Sequence, residues 1–161
     1  MTKDTHKKGF TLIELIIAII ISFIAIFGIS TLIVASFQDW KTGKEIVDLQ
    51  RDLDTASYQI KGVLDEASVD TIYTSGGSIS NTGVKIVAGK SGWQKEFYAS
   101  GNSLIYKNAL TPVTTREIIS TLQSITFTNG SDGHSIRVDL TVVRGIRTLS
   151  NSFLVYLRNK P

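Results

Sequence analysis

The sequence predicts an α+β protein in which one long amino-terminal helix, half membrane-spanning and half amphipathic, packs on an antiparallel β-sheet. Three observations carry that prediction. An apolar run opens at Phe10 and continues to Phe37, and a stripe of apolar residues at helical spacing follows it. After Asp70 the chain becomes rich in Val, Ile, Thr, Tyr and Phe between short Gly, Ser and Asn breaks, which is the composition of strands and turns.

The first element is long enough to cross a bilayer. Leu15 to Phe37 is 23 residues without a formal charge. At about 1.5 Å per residue that is roughly 35 Å of helix, against a hydrocarbon core of about 30 Å. Lys3, Lys7 and Lys8 outweigh Asp4 ahead of the span, so the amino end is expected in the cytoplasm. Trp40, Lys41 and Lys44 follow the span, where an amphipathic ring and cations suit the far interface. The rest of the chain is then expected outside the cytoplasm.

The residues that open this helix are Lys7-Lys8-Gly9-Phe10-Thr11-Leu12-Ile13-Glu14. A secretory signal peptide is cut after its apolar core, and no acid interrupts that core. Here the small residue, Gly9, lies on the charged side, so a cut after it removes a short leader and keeps the helix. The octet resembles the class III leader of type IV prepilins and type II secretion pseudopilins. The resemblance implies a prepilin peptidase that cleaves between Gly9 and Phe10 and N-methylates Phe10, with Lys7 and Lys8 supplying the leader charge. It divides the chain into a leader over 1–9, a transmembrane and filament-core helix over 10–37, an amphipathic continuation over 38–70 and a β-rich extracytoplasmic head over 71–161. Further partners it implies are other pilins or pseudopilins, the membrane, and an inner-membrane assembly platform with its ATPase.

Glu14 is the residue of this segment that needs a partner. Near the cytoplasmic end of a span a carboxylate can reach the headgroups, but in a bundle of apolar helices it needs a cation. The free amine of Phe10 in a neighbouring subunit, exposed by cleavage, is the candidate, and the matching glutamate of the resembling family has that role. Thr31 stands where many major pilins carry a helix-breaking proline, and Pro occurs only at 112 and 161. No strong kink is therefore expected in the helical half.

Beyond the membrane, Ile46, Leu49, Leu53, Ala56, Ile60, Val63 and Ala67 recur at steps of three and four and form one helix face. The stripe can cover a sheet or serve as a coiled-coil dimer seam; the strand-rich segment that follows favours the sheet. Strands are expected near 83–88, 93–99, 103–107, 124–129, 135–143 and 150–158, joined as a meander. Residues 115–122 read as a short helix or an irregular crossover. The spacing around Gly101 and the stretch Thr121-Leu122-Gln123-Ser124-Ile125-Thr126-Phe127 resemble J-type minor pseudopilins and PilW-like minor pilins.

Catalysis has little to work with. The two histidines are His6, which the leader cut discards, and His134, in the turn-forming loop Asn129-Gly130-Ser131-Asp132-Gly133-His134. Cysteine is absent, so no disulfide or thiolate metal site exists. No cofactor is expected. Asn129, Asp132 and Asp139 are candidate calcium ligands without the spacing of an EF-hand, and a plain hairpin loop uses the same residues. Residues 38–70 hold eight acids and four bases, net −4, whereas 71–161 hold ten bases and four acids, net +6. The two regions can neutralise each other within one chain or between stacked subunits. Arg137, Arg144 and Arg147, near one hairpin, are a weak candidate patch for nucleic acid, without interleaved stacking aromatics.

The expected function is that of a prepilin-like structural subunit, not an enzyme. The favoured form is a minor pilin or pseudopilin that initiates or caps a filament of a type IV pilus, a type II secretion system or a competence system. A major pilin and a DNA-uptake pilin are the alternatives.

Overall fold

The computed structural model describes residues 11–90 and 93–158. The chain divides into two compact units, Met1–Gly43 and Lys44–Pro161, and one helix, α1 (Leu12–Glu66), contributes to both.

In the first unit every described side chain through Trp40 is exposed, including Ile13, Ile17, Ile21, Phe27, Leu32 and Phe37. α1 is the one described helix long and apolar enough to cross a membrane. Three of its hydroxyls bond to the helix's own backbone. The hydroxyls of Ser22 and Ser30 donate to the carbonyls of Ala18 and Ile26 at 2.7 and 2.8 Å, and Thr31 donates to Gly28 at 2.8 Å. A helix that meets its own hydrogen-bonding needs suits a solvent without water, and it is consistent with a membrane anchor.

The second unit is an α+β domain. Leu49, Leu53, Ala56, Ile60 and Leu64 of α1 are buried, followed by Ala67. They pack on antiparallel strands that fall into two sheets. The first has the order β1 (Val69–Tyr73), β3 (Lys85–Lys90), β4 (Trp93–Ser100), β5 (Ser103–Asn108), β6 (Thr114–Ile119). The second has the order β2 (Thr82–Gly83), β7 (Leu122–Asn129), β8 (Ser135–Arg144), β9 (Arg147–Tyr156). Residues in register across a sheet share a face. Ile72, Ile86, Phe97 and Tyr106 form one such row, with the Phe97 and Tyr106 rings 5.3 Å apart. Phe127, Val138 and Phe153 form another in the second sheet. Both rows and the helix face belong to a single core.

Gly83 fixes how the two sheets meet. A Cβ there would collide with the carbonyl of Tyr73 and with Cγ2 of Ile72, so only glycine lets β2 lie against β1. The 71–161 segment therefore forms two sheets rather than one meander.

Several elements differ from the sequence reading, and the strand expected near 83–88 is divided between β2 and β3, which lie in different sheets. Residues 114–119 are strand β6, not a helix or crossover; Thr114 to Glu117 are exposed, so this edge strand lacks the apolar alternation that signals β structure. Strand β1 follows the helix almost at once, and β9 begins at Arg147 because Gly145, at φ 59°, closes a two-residue turn. On the helix, Leu64 takes the core position expected of Val63, which is only partly buried, and Ile46 is 41 % exposed. From Ile60 the steps of three and four are equally helical, and the sheet beneath selects Leu64. The buried stripe also decides between its two uses: it is the core of its own domain rather than a free dimer seam.

Candidate functional site

The amino end of α1 is built from Thr11 and Glu14. The Glu14 Oε2 accepts from the backbone N–H of Thr11 at 2.9 Å and from the Thr11 hydroxyl at 2.9 Å, while Thr11 Oγ1 accepts from the Glu14 N–H at 3.4 Å. The Thr11 carbonyl also accepts the Leu15 N–H at 3.3 Å. This is a reciprocal capping box, with Thr11 as the N-cap and Glu14 at the third helical position. A helix amino terminus has four unsatisfied N–H groups and a partial positive charge, so a threonine and an acid belong there on local grounds. Glu14 thus has a local partner in addition to the headgroups or external cation that the sequence reading assigns it. The Thr-x-x-Glu spacing was present in the octet and was the missed signal. Both Thr11 donors converge on Oε2; among the described residues Oε1 accepts nothing. Lys7, Lys8, Gly9 and Phe10 lie outside the described residues.

The Asn129–His134 loop is committed to its own hairpin. The Asp132 Oδ1 accepts from the Ser135 hydroxyl at 2.7 Å, the Ser135 N–H at 3.0 Å and the His134 N–H at 3.1 Å. The Ser135 hydroxyl first, and then the His134 N–H, hold the Asp132 carboxyl below the usual aspartate range. Asp139 is held low by Ser152 first, then by Arg137, whose Nε lies 3.0 Å away. Among the described residues no three His, Cys, Asp or Glu side chains gather as a metal cluster.

Of the three arginines near the last hairpin, Arg147 is exposed, whereas Arg137 and Arg144 are engaged within the chain. Arg137 is engaged by Asp139 and by the Ser152 hydroxyl at 3.2 Å. Arg144 reaches Asp48 at 2.7 Å and Asp52 at 3.7 Å, and Asp52 also accepts from the Thr121 hydroxyl at 2.7 Å. Arg158 lies 3.6 Å from Asp65. The acidic helix and the basic sheets thus neutralise each other in part within the second unit.

Residues 4–35 match the family model described as the prokaryotic N-terminal methylation motif. That match covers the octet and most of the apolar run, and it supports a type IV pilin-like or pseudopilin-like precursor. Such a motif implies processing by a prepilin peptidase and assembly with other pilins. No curated protein and no solved structure matches the chain.

Proposed function

We propose that the chain is a structural subunit of a type IV pilin-like filament, not an enzyme, made as a precursor and cleaved between Gly9 and Phe10. The observation that carries this reading is a coincidence of two features. The methylation motif over residues 4–35 overlays the helical segment whose described apolar side chains are exposed. Such a surface is stable in lipid and equally so in a bundle of like helices. The subunit waits in the cytoplasmic membrane with Lys7 and Lys8 inside and the 71–161 head outside. It is then extracted into a filament by an assembly platform and its ATPase. In the bundle Glu14 faces the N-methylated amine of a neighbour's Phe10.

Within this class we favour a minor pilin or pseudopilin, on the resemblance of the spacing around Gly101 and of the stretch Thr121 to Phe127 to J-type and PilW-like subunits. A major pilin of a long fibre and a DNA-uptake pilin of a competence system are the rivals. Internal engagement of Arg137 and Arg144 argues against the last.

Mass spectrometry of the amino terminus tests the processing step. A mature chain that begins at methylated Phe10 is expected, with Gly9→Val left uncut because the peptidase must admit a small residue. An intact Met1 in assembled material would overturn the reading, as would a cut after Ala25 or Ala35. Abundance separates minor from major: a minor subunit is scarce in sheared filaments.

A further inference from the structure

One sheet ends on β1 and β6, the other on β9 and on β2, a two-residue strand that pairs Phe127 and Thr128 of β7. β1 and β2 cover each other where Gly83 meets Tyr73. β6 carries Arg116 and Glu117 in mid-strand, and its pairing with β5 shifts register between Leu104 and Ile105. Charges and irregular register are the devices that keep edge strands from recruiting new partners. β9 has neither. Its ten residues pair with β8 without a break, and its single charge, Arg147, stands at the start. Among the described residues no strand pairs with its other side.

The hairpin geometry says which groups point outward. Arg144 and Arg147 flank the two-residue turn as a hydrogen-bonded pair, so the odd-numbered residues of β9 bond to β8. The Leu157 N–H, which donates to the His134 carbonyl at 2.8 Å, continues the same parity. The backbone groups of Thr148, Ser150, Ser152, Leu154 and Tyr156 therefore face the open edge. On the core side, Leu149 and Phe153 are only partly buried, because nothing continues their row past β9.

We propose that β9 is a strand-addition site whose occupant is an extended segment of a different polypeptide. That segment places apolar residues on the side of Leu149 and Phe153 and a carboxylate beside Arg147. Arg147 is exposed and makes no ion pair among the described residues. A second copy paired through its own β9 fits poorly, because that strand holds no acid to set beside Arg147. A twofold along the strand keeps direction but sets one copy's hydroxyl row beside the other's Leu149 and Phe153.

The test uses the full chain in detergent and a labelled decapeptide of alternating Thr and Val ending in Glu. Docked antiparallel with valines toward the core, its Thr amides bond β9 and its Val amides point away. Saturable binding is expected, unchanged when the Val amides are N-methylated and at least about tenfold weaker when the Thr amides are. Ser150→Pro removes one outward N–H while sparing the bonds to β8, and is expected to weaken binding similarly with the domain still folded. Absence of saturable binding up to millimolar peptide, or equal binding of both methylated peptides, overturns the proposal. So does ready disulfide dimerisation of Ser152→Cys, clean to read in a chain without native cysteine. Binding is measured on the uncut precursor, so a failure of leader processing leaves its outcome unaffected.

Discussion

Arg144, the last residue of β8, places its Nη1 2.7 Å from the Asp48 Oδ2 on α1 and so ties the end of a strand to the helix that covers it. Its Nη2 is 3.7 Å from Asp52, which also holds Thr121. The side chains of Arg144 and Asp48 are 38 % and 35 % exposed, so water and salt screen the pair. Arg144→Met is expected to cost about 0.5–1 kcal/mol in low salt, and less at high salt. Urea unfolding at two ionic strengths measures it; a loss that is equal at both would show packing rather than charge.

Leu53 is 3 % exposed in the centre of the buried helix face. Leu53→Asp is expected to cost several kcal/mol by burying an unpaired carboxylate. Circular dichroism should show loss of the whole β-rich domain. A folded monomer that has merely lost a dimer contact would restore the coiled-coil use of the stripe.

Gly83→Ala pushes a methyl group into the Tyr73 carbonyl. The obstruction is backbone, which cannot swing aside as a side chain does. The variant is expected to lose about 3 kcal/mol or more, among the larger effects of a single methyl. By contrast Gly62→Ala, whose Cβ meets nothing within 4 Å, should stabilise α1 by up to about 1 kcal/mol. Thermal melts that rank the two in the opposite order would contradict the account of the sheet junction.

Thr11 and Glu14 share one capping box, which gives them separable phenotypes. Glu14→Ala is expected to insert and be cleaved normally but to enter filaments poorly, since it removes both cap and counter-charge. Thr11→Ser keeps a capping hydroxyl and should behave as wild type, whereas Thr11→Val removes it and leaves the carboxylate. Crosslinking of assembled subunits reads all three. Normal incorporation of Glu14→Ala would remove the pairing role.

Asp132 supplies the pH dependence of the β7–β8 loop. Its folded-state carboxyl is held below its unfolded value, so the stabilising effect is complete above the ordinary aspartate pKa of about 3.9. It is lost as pH falls through the lower folded value. Protection of the His134 and Ser135 amides, whose N–H groups donate to Asp132, should therefore fall only in that acidic window once each rate is taken relative to the intrinsic exchange rate at the same pH. Asp132→Asn should flatten the dependence; an unchanged profile would show that the turn does not rely on the carboxylate.

The sequence by itself determined the apolar amino-terminal helix, the methylation motif and the class of fold. Each is a local property: 23 uncharged residues over Leu15–Phe37, an octet around Gly9, and a switch from helical to alternating periodicity near Asp70. The capping box at Thr11 and Glu14 was equally legible, because four consecutive residues contain it. Only the tertiary structure decided what depends on residues distant in the chain. It set Leu64 rather than Val63 against the sheets and split the strands into two sheets at Gly83. It made β6 a strand despite its polar face, since an edge strand needs a partner more than a pattern. It engaged Arg137 and Arg144 within the chain, and it left the outer side of β9 without a paired strand among the described residues. Pairing across the chain is fixed by the packing of the whole core, and no single segment encodes it.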